Sequence, residues 1–161
     1  MPRALDPMLE LDRLTAAGML APLPHPGRPT LRAQWRHILR GGIGRICLRQ
    51  LRLRRTKAAD GTTSSDTAAS PGLQLLRRTL ADWRPAELAF IISEDSLRAV
   101  WEVADGDDGL DWIVKIPKRL ERECGHFTDA ELDIWCNLEG TVADIAALLD
   151  RKIAARPTVA H

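Results

Sequence analysis

The sequence contains no tyrosine, and its few Trp and Phe residues make up only 4% of the chain. Binding of single-stranded nucleic acid by base stacking needs exposed aromatic rings. The most basic part of the chain offers only Trp35, so that mode has no support. No apolar run approaches the roughly 18–20 residues of a membrane-spanning helix. At the N-terminus, MPRALDPMLELD carries acids where a secretory signal needs an apolar core, so no membrane partner is expected. The three cysteines, Cys47, Cys124 and Cys136, are an odd number without a disulfide spacing, which points to reduced thiols and a cytoplasmic protein. There is no G-x-S-x-G, no phosphate loop and no dinucleotide fingerprint. GGIG (41–44) has neither a preceding strand nor a following Gly-Lys. The expectation is a non-catalytic protein without a cofactor.

One further absence is local. Residues 32–57, RAQWRHILRGGIGRICLRQLRLRRTK, contain no acidic residue but eight arginines and one lysine. The whole chain has a formal net charge of +1, and that average hides two opposite halves. Residues 1–59 hold twelve Lys/Arg against three Asp/Glu, whereas residues 81–161 hold nine against seventeen. Such asymmetry suits either a polyanionic partner for the first half or attraction between the two halves.

Asp6-Pro7 reads as a cap and first-turn proline, with Gly18 as a stop. PLPHPGRP (22–29) reads as an extended connection. After a cap at Thr30, Leu31, Trp35, Ile38 and Leu39 recur at helical spacing, with Arg32, Arg36 and Arg40 on one side. Beyond Gly41-Gly42, Ile43, Ile46, Cys47 and Leu51 form a second apolar stripe, with Arg45, Arg49 and Arg52 beside it. On one ideal helix the two stripes are out of phase by about 100°, so the glycines are expected to break the segment into two helices or kink it sharply. Arg54, Arg55 and Lys57 complete the cationic set. Arginine neutralises a phosphate, bidentately where the geometry allows, and a row of such groups gains affinity by counterion release without reading any base.

AADGTTSSDTAASPG (58–72) is small, polar and unpatterned, and reads as a flexible linker. LQLLRRTLADW (73–83) reads as a helix. In the stretch that follows, Leu97, Ala99, Trp101 and Val103 alternate with Arg98, Val100 and Glu102. Leu110, Trp112, Val114 and Ile116 alternate likewise beyond DGDDG. Period-two alternation on both sides of an Asp-Gly turn predicts an antiparallel hairpin, which LAFIIS (88–93) would extend to a three-stranded meander. The competing reading is a helix over 94–104, because Glu94-Asp95 suit a first turn. The core residues expected on the hairpin reading are Leu97, Trp101, Val103, Trp112, Val114, Ile116, Ile145 and Leu149.

Thr128-Asp-Ala-Glu131 is a capping box opening a helix to about Glu139. Gly140 stops it, and Thr141 caps another in which Val142, Ile145, Leu149 and Ile153 share a face. FTDAELDIWCNLEGTVADIAALL (127–149) resembles the first two helices of bacterial helix-turn-helix domains. The resemblance implies a reading helix after them, but the chain ends at RKIAARPTVAH, and Asp144 and Asp150 on the last helix repel phosphates.

Two stretches approach a metal-binding pattern. A calcium loop starting at Asp105 fails, because Gly109 stands where a ligand is needed and Ile116 where glutamate is. Cys124, His126 and Cys136 are three soft donors, but C-x-H-x9-C lacks a C-x2-C pair and a fourth ligand. Cys124 and His126 as a nucleophile pair lack a recognisable oxyanion hole.

The expected architecture is thus a helix-rich α+β protein. It comprises a basic helical arm (1–57), a linker (58–72) and a small domain (73–161) whose antiparallel hairpin or meander is packed by C-terminal helices. The expected function is a cytoplasmic nucleic-acid-binding accessory or regulatory protein. Its arm would touch the phosphate backbone, with duplex DNA ahead of structured RNA. The alternative is an interaction subunit whose arm docks an acidic protein surface, its own acidic half or that of a homodimer mate.

Overall fold

A computed structural model describes residues 22–23, 42–60, 69–104 and 111–157. Among the described residues the α-helices are α1 (Gly42–Ala59), α2 (Pro71–Ala81), α3 (Leu97–Ala104), α4 (Ile116–Cys124), α5 (Asp129–Cys136) and α6 (Val142–Ala155). A 3-10 helix (Ala86–Phe90) lies between α2 and α3, and a π-helical turn (Asp111–Lys115) runs into α4. Helix α6 is the axis. Helices α2, α4 and α5 pack on it, and α1 packs mainly on the 3-10 helix and α3. No described helix is long and apolar enough to cross a membrane.

The expected hairpin and meander are not formed. Among the described residues there is no β-strand, only an isolated antiparallel bridge between Ser96 and Thr141. LRAVWEVA is apolar at nearly every position, so periods of 2 and 3.6 both fit it, and the cap decides. Ser96 Oγ accepts from the Ala99 N–H at 3.5 Å, and the Ser96 carbonyl accepts from the Val100 N–H at 3.1 Å. Leu97, Val100 and Ala104, three and four residues apart, are then buried, whereas Trp101 and Val103 are half-buried. The helical reading of this stretch, rather than the strand reading, describes it. Past the turn the decisive spacing is four: Trp112, Ile116 and Leu120 are buried, while Val114, expected beside them, is 50% exposed. Pro117 occupies the first turn of α4, where its missing N–H leaves no helical bond unmade. LAFIIS becomes the end of the 3-10 helix and an extended Ile91-Ile92. The Asp-Gly turn and the calcium pattern beginning at Asp105 fall on 105–110, outside the described residues.

The C-terminal pair of helices forms as expected, although α5 ends at Cys136 rather than near Glu139. Thr128 and Glu131 form the capping box, and the Asp144 carboxylate accepts the Thr141 N–H at 2.8 Å. Lys152 ties the pair together: its Nζ lies 2.9 Å from Glu131 Oε2, donates to the His126 carbonyl at 2.7 Å, and sits 4.8 Å from the Phe127 ring centre. The Thr128 backbone N–H and Lys152 together hold the Glu131 carboxyl below the usual glutamate range. Beneath them Trp135 stacks on Trp112 with ring centres 4.8 Å apart, and its indole N–H donates to the Trp112 carbonyl at 2.6 Å. In the stretch 127–149 that resembles a helix-turn-helix this pair of helices is formed, with α6 packed on α2, α4 and α5 by one side while Ala143, Asp144, Ala147 and Arg151 are exposed.

Helix α2 begins close against α6. Ser70 caps α2 by accepting the Leu73 N–H at 3.2 Å. The Gly72 N–H then donates to Asp150 Oδ1 on α6 at 2.6 Å. A Cβ on Gly72 would stand 2.3 Å from the Ala146 carbonyl oxygen and 2.9 Å from the Asp150 amide nitrogen. Both atoms are helix backbone, so relief requires the two helices to separate. Gly72→Ala in a solvated helix would raise stability by up to about 1 kcal/mol. Here it is expected to lower it by about 1–3 kcal/mol, read as a lower urea midpoint at unchanged slope.

Candidate nucleic-acid interface

Helix α1 carries the basic segment into the fold. Cys47, Gln50, Leu51 and Arg54, at successive spacings of three, one and three, are buried, and Cys47 and Leu51 belong to the common core. The opposite side exposes Arg49, Arg52 and Arg55. Of the apolar stripe read from sequence Cys47 and Leu51 are buried, and of the cationic face beside it Arg49 and Arg52 are exposed, while the side chains of Ile43 and Ile46 lie outside the described residues. Arg32, Arg36 and Arg40 lie outside the described residues, and so does the Arg45 side chain. Lys57 is half-buried.

One candidate must be corrected. Arg54 does not face outward: it is 4% exposed and lies on the buried side with Cys47 and Leu51. Its Nη1 donates to Asp95 Oδ2 at 2.7 Å and to the Phe90 carbonyl at 3.1 Å, and its Nη2 donates to Asp95 Oδ1 at 2.8 Å. Asp95 is fully buried. It also accepts the Leu23 N–H on Oδ1 and the Ile92 N–H on Oδ2, both at 2.8 Å. The carboxylate thus receives four donors, which is what a charge removed from water requires. Position 54 continues the 47–51 spacing, so the sequence did signal that this arginine points inward. Asp95 went unnoticed as its partner because the two are 41 residues apart.

The exposed arginines have an acidic neighbour of their own. Glu87, on the 3-10 helix, is 3.5 Å from Arg52 Nε and 3.7 Å from Arg55 Nη1, while those side chains remain 64% and 59% exposed. Pairs this open are worth little in water. Both guanidiniums keep most of their donors toward solvent.

The soft-ligand candidates are not brought together. Cys124 is buried with its Sγ 3.2 Å from the Leu120 carbonyl. His126 faces solvent with Nδ1 at 2.8 Å from Glu121, and Cys136 is exposed on α5. Among the described residues no group of three or more His, Cys, Asp or Glu is placed to hold a metal ion. No family model, no curated protein and no solved structure matches the chain.

Asp95→Ala leaves the Arg54 guanidinium buried without its counter-charge and orphans two backbone N–H groups. The expected loss is about 3–5 kcal/mol, against about 0.5 kcal/mol or less for Arg52→Ala on the exposed side, both from denaturant unfolding. The thiols give a second readout. Burial, reinforced by the nearby Asp95 carboxylate, pushes the Cys47 thiol from 9.0 up to about 12. Burial also raises Cys124. Partial burial and the Asp133 carboxylate raise Cys136 as well, but it is exposed, so a disulfide-exchange reagent is expected to modify it first in the native protein and the other two only after denaturant is added. Because Cys47 is held protonated by folding, its contribution to stability is complete below pH 9.0 and is lost as pH climbs toward about 12. Cys47→Ser should flatten that alkaline decline.

Proposed function

We propose that the chain is a non-catalytic nucleic-acid-binding accessory or regulatory protein that contacts the phosphate backbone through α1 and the basic segment before it. The observation that carries this reading is the row Arg49, Arg52 and Arg55 on the outer side of a helix whose other side is fixed in the core. Anchoring matters, because a pre-positioned cation loses less freedom on binding than one on a mobile chain. No acidic residue lies on α1 itself, and the acidic side chain beside Arg52 and Arg55 is Glu87 of the 3-10 helix. Exposed positions on α1 between residues 47 and 59 are otherwise Thr56, Ala58 and Ala59, and Gln50, the amide that could read adenine, is buried. That inventory favours backbone contact over base readout.

A second reading is favoured by the contacts that α1 already makes. Arg54–Asp95 and the Glu87 pairs join the basic helix to the acidic half of the same chain. On this reading the arginines serve internal pairing or an acidic protein partner.

Fluorescence anisotropy of the full chain on random duplex DNA and on structured RNA, from about 50 to 300 mM salt, separates the two. Binding is expected, with affinity falling steeply as salt rises. Single Arg→Ala changes at 49, 52 and 55 should each make the logarithmic slope shallower by about one. Joint charge reversal at the three positions should abolish binding while the far-ultraviolet dichroism stays unchanged. Absence of binding to either polymer at the lowest salt, or unfolding or dimer dissociation by the reversal, would instead favour protein pairing.

A further inference from the structure

The Asp95 carboxylate holds more than a helix. Leu23, between two prolines, is 2% exposed and belongs to the core. Its N–H donates to Asp95 Oδ1 at 2.8 Å, and its carbonyl accepts the Ser96 N–H at 3.2 Å. One residue is thus gripped by its side chain and by both of its backbone groups. The oxygen that takes the Leu23 N–H also takes Arg54 Nη2 at 2.8 Å. Asp95 therefore sees the Pro22-Leu23 segment and α1 at the same atom.

We propose that Pro22-Leu23 is a latch that closes α1 onto the helical core through Asp95, and that α1 opens as a unit when the latch is released. The physical reason is the shared carboxylate. While Leu23 is docked, it helps bury the Arg54–Asp95 pair, and a buried pair is strong only while water is kept away and each lone pair is used. Undocking Leu23 returns one oxygen to solvent and lowers the local cost of parting Arg54 from Asp95. Helix α1 packs mainly on the 3-10 helix and α3, whereas the α2–α6 contact, the α4 seat and the α5 clasp do not involve it. The α3 and 3-10 helices lose a neighbour when α1 opens, but the contacts of α2, α4 and α5 with α6 are kept, as in a local opening unit. This inference is independent of whether α1 binds nucleic acid.

The three cysteines report on it. Cys47 is buried on α1, Cys124 is buried on α4 and Cys136 is exposed. Alkylation of the full chain under native conditions, resolved by residue with mass spectrometry, measures each thiol separately. In Leu23→Ala the Cys47 rate is expected to rise about tenfold or more while Cys124 stays at its wild-type rate. Leu149→Ala, which removes core on α6, is expected to raise both rates together. If Leu23→Ala does not fold, the wild-type chain in rising sub-denaturing urea gives the same test, with Cys47 labelled at lower urea than Cys124. No change at Cys47, or Cys47 and Cys124 rising in parallel, overturns the proposal.

Discussion

The contact between Arg54 and Asp95 is the constraint around which the described fold is arranged. A charge pair taken out of water costs more than its attraction returns unless its remaining hydrogen-bonding capacity is met. Here the capacity of the carboxylate is met by two guanidinium nitrogens and the Leu23 and Ile92 N–H groups. These partners come from separate parts of the chain, so satisfying one carboxylate places the basic helix, the turn before α3 and the Pro22-Leu23 segment together. Around the same turn, the Asp95 carbonyl accepts the Val142 N–H and the Ser93 carbonyl accepts the Ala143 N–H. The start of the axial helix α6 is thereby tied to the same place. Replacing the pair with apolar residues, which suits some buried ion pairs, would here leave two backbone amides without acceptors.

That arrangement divides the arginines of α1 into two chemical kinds. Arg54 is spent on architecture, with its charge neutralised and both of its terminal nitrogens engaged. Arg49, Arg52 and Arg55 stand on the other side of the same helix, in water, where guanidinium groups retain the forked geometry that suits phosphate. A buried cation beside exposed ones also explains how so basic a helix can sit in a folded core. Its repulsive charge is offset at one point by Asp95 and at another by Glu87. The opposite charges of the two halves of the sequence thus meet in part within the chain. Arg52 and Arg55, although beside Glu87, remain more than half exposed.

Much of the helical content was legible in the sequence because its signals are local. The Thr128 capping box, the Thr141 start and the Val142, Ile145, Leu149 stripe each depend on residues within a few positions of one another. So does the Cys47, Leu51 stripe of α1. The region from Leu97 to Ile116 misled because dense apolar residues satisfy two periodicities at once, and DGDDG supplied a turn that suits a hairpin. The tie-breakers were Ser96 as a cap and burial at every fourth residue from Trp112 to Leu120. The cationic candidates were legible as a set, and position 54 falls on the buried 47–51 spacing, but its partner Asp95, 41 residues away, was not legible.

By itself, then, the sequence determined the cationic row of α1, its buried stripe and the two capped C-terminal helices, since each follows from spacing along a single helix. Only the tertiary structure decided that 97–104 and 111–124 are helical, that Gly72 lies against the backbone of α6, and that Arg54 and Leu23 meet on Asp95. Those outcomes depend on groups brought together across tens of residues. Their energies come from burial, which a local pattern of residues does not specify.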